Sequence, residues 1–535
     1  MRAPKAEVVK KAMREHFAKH YANTNALAAV VLFSAALKII LLLFHVPFNS
    51  DGVLYITAAQ KFAAGDFAGG VAVYPMPLYP AMIVFSHVLV PDWEIAAKLV
   101  SLVCQVLALI PLYYLTARLF SRKAAFWACL AFAVAPLPND WGVDVIRSPA
   151  FVLFVLLALY CAQKAIDNQK PVWFCLTALL CCASFLLRME GAILVLFFCM
   201  YWVYRILVQK GERGCRARGF AAWMLVLAVF SGICLFALHT SGTGFNRMGE
   251  IAGKARHIAG LGFLDNYHMI YGQLEEMEKL SPNRYGRENL AEVARHYMYL
   301  LYMLGEAQIF IKVLFPPFLI ALILGLRRSP SLNPRRSFIL SLLLFYLLAL
   351  YILYVDRDYM QRRFLFAPAV LAFPWVGLGL ERIFARIAGS LRPRLYLAVF
   401  LILFFVIPVS KAVHSAAEKD DVLRRAGDWA EAYIAGRDAT YFANDSLLPF
   451  FAGISMDDYV EISREKKYNF GAIETFALEK NVDILLVKVP QERTESLSEF
   501  TRYKKLRHFS GEHGRNVYIY CKPAFCKNPK DDHEN

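Results

Sequence analysis

The sequence predicts a mainly α, polytopic helical membrane protein with a small α/β unit at its carboxyl end, and three observations lead there. Of 535 residues, 58% are hydrophobic and 19% charged, with a mean hydropathy of +0.42, too apolar for an ordinary soluble domain. Apolar runs near the roughly 20 residues needed to cross a ~30 Å hydrocarbon core recur along the chain. Past residue 410, short β-like runs alternate with helix-like stretches. The same figures exclude disorder, a collagen-like rod and a cytosolic enzyme.

Residues 1–24 carry Arg2, Lys5, Lys10, Lys11, Arg14 and Lys19 and read as a cytoplasmic basic segment. The first apolar run, 26–46, is too long for a signal peptide and lacks a small-residue cleavage site, so it reads as a retained helix. Further spans are expected at 95–115, 124–137, 148–166, 172–187, 191–208, 220–239, 307–326, 337–355, 364–384 and 395–410, about eleven crossings in all. Residues 77–90 are apolar but short, with Pro75, Pro77 and Pro80 at their start. That favours a re-entrant or interfacial helix.

The net charge of +16 would suit nucleic acid if it were clustered. Instead it alternates from loop to loop. Loops placed inside hold groups such as Arg205, Lys210, Arg213, Arg216 and Arg218, or Arg327, Arg328, Arg335 and Arg336, whereas short outer loops mix Asp140, Asp144 and Arg147, or Asp356, Arg357 and Asp358. This is the positive-inside pattern of a membrane chain, which excludes a nucleic-acid partner. It places the amino terminus in the cytoplasm. The transmembrane unit, 25–410, then has outer loops 48–94 and 240–306, and the tail 411–535 lies on the periplasmic face of a bacterial inner membrane.

The tail reads as a small α/β domain, with β-like runs at 439–442, 483–489 and 516–521 and helix-like stretches at 416–434 and 471–480. Most of the 11 cysteines are small apolar residues in spans or inner loops. Cys521 and Cys526 share the oxidising side, and their spacing allows a disulfide. No zinc-ligand spacing, GxGxxG or Walker A loop occurs, so neither a metal centre nor a nucleotide-driven pump has sequence support.

Chemistry is most legible in the first outer loop. Asp51 directly follows a membrane helix, where a lowered dielectric can raise its basicity and let it take a proton from an attacking hydroxyl. It serves equally well as the cap of a short helix. Arg362 and Arg363 stand at a helix start, where arginines either bind an anion or anchor a span at the interface. Arg188 either binds an anion or pairs with Glu190 or Asp144. Lys254, Arg256 and His257 are further outer cations in the long loop. Lys38 and Lys98, in or near spans, are intramembrane cations with a functional or a pairing role. His508 and His513 read as surface residues.

In order along the chain, five segments resemble the C-type glycosyltransferase superfamily, and within it the bacterial relatives of protein O-mannosyltransferases and lipid A aminoarabinose transferases. They are Asp51-Gly52-Val53-Leu54-Tyr55, Pro77-Leu78-Tyr79-Pro80 after Tyr74, Arg147-Ser148-Pro149-Ala150-Phe151, Leu187-Arg188-Met189-Glu190-Gly191 and Arg362-Arg363-Phe364-Leu365-Phe366. The resemblance implies a helical bundle with a catalytic cavity at its outer face. It implies a polyprenyl-phosphate sugar as donor, a lipid, protein or glycan acceptor, and transfer with inversion. Asp51 becomes the base or acceptor-orienting residue. Arg188, Arg362, Arg363, Lys254, Arg256 and His257 become candidates for the donor phosphate, with Tyr55, Tyr74, Tyr79, Asp144 and Glu190 positioning or supporting the substrates.

The chain also departs from the family. Gly52 stands where many members carry the second acid of an Asp-Glu pair; the resemblance leaves room for a divalent cation, but that ligand is missing. Pro75-Met76-Pro77 replaces a lysine-bearing motif, so one expected phosphate-binding cation is absent. Asp144 is the substitute for an acid usually found at the start of the helix near Ser148. The rival reading is a transporter or lipid flippase, supported by the many helices, Lys38 and the break near Arg188.

Overall fold

The computed structural model describes residues 25–44, 48–209, 211–240, 253, 256–257, 260, 262–280, 289–327, 333–389, 392–417, 421–435, 437–462, 467–489, 500–511 and 516–526. Among them, eight helices are long and apolar enough to cross a membrane: Asn25–Leu42, Trp93–Leu119, Ser148–Asn168, Gly191–Val208, Arg213–Phe236, Pro334–Arg357, Arg362–Ala388 and Pro393–Ala416. Leu290–His296 and Met298–Leu314 make a ninth only if taken as one span bent by 79°. The other expected crossings are shorter helices, Arg122–Val134, Pro171–Leu187 and Pro316–Arg327. One expectation is corrected. Residues 307–326 are not a single helix, because Phe315 at φ +79° breaks the chain before Pro316 and Pro317, and a proline bars the preceding residue from helical geometry.

The short apolar segment after the prolines forms the helix Leu78–His87, at about 15 Å half the length needed to span. Tyr79 and Ile83 are buried, while Phe85, Val88 and Leu89 are exposed. Such a helix lies at an interface with one face against the bundle.

The most buried helix is Arg362–Ala388, in which every residue from Phe364 to Leu380 is buried. It packs tightly because Gly377 and Gly379 bring its backbone against Ala124 and Ala128 of one neighbour and Ala321 of another. Small residues of this kind let membrane helices approach closely. The helix is therefore a fixed strut, and Arg363 rides at its start.

After the last span, the helix Val422–Ile434 leads into a five-stranded mixed sheet. Its strands are β1 (Tyr441–Ala443), β2 (Tyr459–Val460), β3 (Ile484–Val489), β4 (Lys504–Ser510) and β5 (Asn516–Cys521), in the order β2-β1-β3-β5-β4. β1 runs parallel to β2 and β3, while β5 is antiparallel to β3 and β4. The expected β-like runs coincide with β1, β3 and β5. β4 escaped notice because its side chains are largely exposed and include Lys504, Lys505 and Arg507, the charged character of an edge strand. Cys521 and Cys526 are joined in a disulfide.

This α/β unit is seated on the segment that follows the first span. Phe48 is buried between Phe450 and Phe451, with ring centroids at 5.3 and 5.7 Å. Arg424 binds Glu94 at 2.6 Å, and Lys61 binds Asp457 at 3.2 Å. A single apolar core runs from Val53 and Phe48 through to Val422, Leu423 and Phe451.

Candidate active site

Asp51 is the first residue of the helix Asp51–Ala63, after Ser50, whose side chain makes no capping bond. The helix does begin here, as the capping pattern suggested. The Asp51 carboxylate, however, turns to the start of the buried strut, where Arg363 Nη1 lies 2.7 Å from Oδ2. The side chains of Asp51 and Arg363 remain 46% and 30% exposed, so a substrate can reach both.

Gly52 has a packing reason. A Cβ there would lie 2.5 Å from the Phe48 ring and 3.0 Å from Val145, so a second acid has no room. One carboxylate already paired with a guanidinium does not fit a divalent cation. No group of three or more metal-ligating side chains occurs among the described residues.

Behind Asp51 the loop is pinned by Asp144. Its Oδ1 accepts from the backbone N–H of Asn49 at 3.1 Å, from Asn49 Nδ2 at 3.2 Å and from its neighbour Val145 N at 2.7 Å. Asp144 thus fixes the residue two places before Asp51.

One turn along the same helix, the Tyr55 ring meets Tyr74 edge-on at 4.7 Å and Tyr79 at 5.2 Å. The Tyr79 hydroxyl lies 2.8 Å from Ser101 Oγ. Burial raises the Tyr55 and Tyr74 hydroxyls above their ordinary values, although the nearby Arg147 guanidinium opposes this. Both stay protonated at neutral pH and can donate hydrogen bonds.

Arg147 is the residue that the sequence reading passed over as a site cation. It lies with its guanidinium 5.2 Å from the Tyr74 ring centroid, and its Nη1 donates to Leu187 O at 2.9 Å. Its Nε is buried and has no acceptor. No carboxylate is paired with it among the described residues. The available signal was its place directly before Ser148-Pro149, where a helix opens toward the Asp51 loop.

Arg188 occupies the break between Pro171–Leu187 and Gly191–Val208. It is fully buried, donating through Nε to Glu190 Oε1 at 3.1 Å and through Nη1 to Ser148 Oγ at 3.1 Å, with Nη2 also on Glu190. Burial alone would push the Glu190 carboxyl up, but Arg188 outweighs it and holds Glu190 below its ordinary value. The alternative partner considered for Arg188, Asp144, is not the one it binds. The turn needs Gly191, because a Cβ there would run into the backbone at Ser184 and Phe185.

The rings of Phe151 and Phe364 lie 5.8 and 5.7 Å from the Arg188 guanidinium, and Phe364 is also 5.7 Å from that of Arg363. Phe364 thus links the buried arginine to the one that holds Asp51.

The remaining candidates are spread more widely. Arg362 is exposed at the helix start, and Arg256 is exposed on the long loop. His257 Nε2 is 3.2 Å from Asp356 Oδ1. Lys254 lies outside the described residues. Lys98 binds Glu94 at 2.6 Å, and buried Lys38 binds Ser34 Oγ and Asn139 Oδ1 at 3.0 and 2.9 Å.

The sequence profile of the dolichyl-phosphate-mannose-protein mannosyltransferase family matches residues 74–236. ArnT from Cupriavidus metallidurans bound to undecaprenyl phosphate superposes with a TM-score of 0.53 at 14% identity, over 92% of this chain and 98% of that one. The chain has the fold of this ArnT structure. The apo oligosaccharyltransferase of Archaeoglobus fulgidus gives a TM-score of 0.55 at 14% identity, covering 93% of this chain and 74% of its own. AglB from the same archaeon, in complex with an inhibitory peptide and a dolichol-phosphate, gives 0.51 at 13% identity over 94% and 74%. No curated protein matches the sequence at a significant level.

Proposed function

We propose that this multi-pass membrane protein is a glycosyltransferase that moves a hexosyl or pentosyl unit from a polyprenyl-phosphate donor to a hydroxyl or amine on a lipid, protein or glycan. The observation that carries the reading is the ion pair of Asp51 and Arg363, half-open to solvent at one end of a C-type fold. The family profile over 74–236 and the structural likeness to proteins bound to undecaprenyl phosphate and dolichol-phosphate support the donor class. The alternating loop charges favour a bacterial inner membrane with Asp51 and the α/β unit on the periplasmic side.

The chemistry follows from the residues. An acceptor hydroxyl directed at the anomeric carbon gives its proton to an Asp51 oxygen as the new C–O bond forms. The bond from the anomeric carbon to the phosphate oxygen breaks with inversion, and polyprenyl phosphate leaves with an added negative charge. Arg363, paired with Asp51, and Arg147, beside Tyr74, are the cations that would stabilise that charge. Arg147 supplies the cation missing from Pro75-Met76-Pro77, since its guanidinium rests on Tyr74, the residue before that motif. Arg188, neutralised by Glu190, acts as a positioning residue. Arg362, Arg256 and His257 are left as outer cations that steer the donor in.

Undecaprenyl phosphate binding to the purified protein tests these roles. Arg147→Gln and Arg363→Gln should each weaken binding by roughly tenfold, the scale of one charge-assisted phosphate contact, while Arg335→Gln, at an arginine paired with Asp167, changes it little. Unchanged binding in both site variants would refute the assignment.

A further inference from the structure

The α/β unit carries a cavity of ≈ 890 Å³ that the proposed chemistry does not use. That volume falls in the range of small-ligand sites, roughly 300–1,000 Å³. Its wall combines the end of the helix Val422–Ile434, the entry to β1 and the turn before β2, and it holds the carboxylates of Glu431, Asp438, Asp457 and Asp458 with the cations Arg437 and Lys480. Asp457 reaches Lys61 at 3.2 Å, in the last turn of the helix Asp51–Ala63. About 15 Å of helix separates Lys61 from Asp51, at 1.5 Å per residue.

Tyr441 is the decisive residue. Its side chain is 7% exposed and lines the cavity, yet its hydroxyl has no hydrogen-bond partner among the described residues. Tyr459, its register partner across β1 and β2, differs, because its hydroxyl donates to Glu461 Oε1 at 3.1 Å. Burial first, and then the carboxylates of Asp438 and Asp458, raise the Tyr441 hydroxyl above its ordinary value, so it stays protonated and can donate. Arg437 adds a second unmatched donor: its guanidinium rests 4.1 Å from the Tyr433 ring centroid, and its Nη1 is buried without an acceptor. Glu431, Asp438 and Asp458 supply unmatched acceptors, since none of their side chains makes a hydrogen bond or ion pair among the described residues.

Unmatched donors and acceptors thus share one cavity. An anion would meet four carboxylates there, and a cation would meet Arg437 and Lys480 while leaving the Tyr441 and Arg437 donors unsatisfied. A neutral polyol satisfies both sets, because each of its hydroxyls donates and accepts. Ala439, Ala452 and Ile454 add apolar wall for the C–H face of a sugar ring. We infer that this cavity binds a neutral glycan, held by Tyr441, Arg437, Asp438 and Asp458. In the proposed reaction that glycan is the acceptor, an assignment that rests on the glycosyltransferase reading, whereas the binding itself does not.

The test is retention of oligosaccharides by the full chain in nanodiscs, with no donor present, on an array of neutral gluco-, manno- and galacto-oligosaccharides, cationic chitosan oligomers and anionic heparin oligomers. At least one neutral oligosaccharide should be retained, and the charged ones should not. Tyr441→Phe, which keeps the buried ring, and Asp458→Asn, at an exposed residue, should each reduce retention roughly fivefold, the scale of one hydrogen bond to a ligand. Asp428→Asn, at an exposed acid outside the cavity, should leave it unchanged. Retention of no neutral oligosaccharide by folded protein, or equal retention in Tyr441→Phe and Asp458→Asn, would overturn the proposal. Preference for chitosan oligomers would overturn it as well, since the carboxylates would then act as a cation site. Offering the retained glycan to the wild type as acceptor separates a failed acceptor role from a failed site.

Discussion

Arg363 Nη1 stands 2.7 Å from Asp51 Oδ2, a pairing of residues 312 positions apart. It ties the helix Asp51–Ala63 to the start of the most buried helix in the bundle. A carboxylate held this way is fixed in orientation by the start of that helix. Asp51→Asn should therefore lower turnover by about 10²–10⁴, the range for losing a general base, with donor KM changed little. Arg363→Ala should raise donor KM and lower turnover together, because it removes a phosphate contact and frees Asp51. Steady-state kinetics with varied donor separates the two patterns. A KM effect confined to Asp51→Asn would reverse the assignments.

Arg188 and Glu190 form a buried pair at a helix break, and breaking such a pair leaves an uncompensated charge. Glu190→Gln should destabilise the protein by about 3–5 kcal/mol, read as a lower unfolding midpoint in detergent. The wild type should carry a matching pH signature. Because Arg188 holds the Glu190 carboxyl below its ordinary value, the stabilisation is complete above the unfolded carboxyl value of about 4.3 and is lost as pH falls through the lower folded value. Unfolding midpoints measured from pH 3 to 7 should fall at the acid end in the wild type and less steeply in Glu190→Gln.

The α/β unit holds the loop that carries Asp51. Phe48, three residues before Asp51, is gripped by Phe450 and Phe451. Phe48→Ala should cost about 3–5 kcal/mol, as truncations of buried phenylalanine do. Phe450→Ala should reduce turnover while leaving undecaprenyl phosphate binding nearly intact, since the phosphate cations lie on other elements. Parallel loss of binding would show that the unit also shapes the donor site.

Much of this architecture was legible because hydrophobic run length and loop charge are local signals. Eight of the eleven expected spans coincide with helices long and apolar enough to cross a membrane, and Asp51 could be singled out from its place after a membrane helix. What escaped was set by tertiary contact. The break at Phe315 depends on the two prolines after it, and run length alone reads through them. Arg147 looked like one more outer-loop charge until Tyr74 and Leu187 were seen to aim it toward the Asp51 helix. Arg188 was open between an anion and an acid partner because nothing local distinguishes Glu190 from Asp144. The edge strand Lys504–Ser510 carries too many exposed charges to read as a strand.

Lys38 offers a separate check on the bundle. It is buried within a span and depends on Ser34 and Asn139 for its hydrogen bonds. Asn139→Leu should destabilise the protein by about 1–3 kcal/mol, the cost of a buried donor left without its acceptor. Lys38→Met combined with Asn139→Leu should recover part of that loss, and a double-mutant cycle on unfolding midpoints measures the coupling.

The most direct test of the central claim is release of free polyprenyl phosphate from a panel of polyprenyl-phosphate sugars by purified protein with membrane extract, comparing the wild type with Asp51→Asn. Release by the wild type with at least one donor, lost in a variant that unfolds at the same temperature, is the predicted result and identifies the donor sugar. Equal release by folded Asp51→Asn, or none from any donor by folded wild type, would contradict the account.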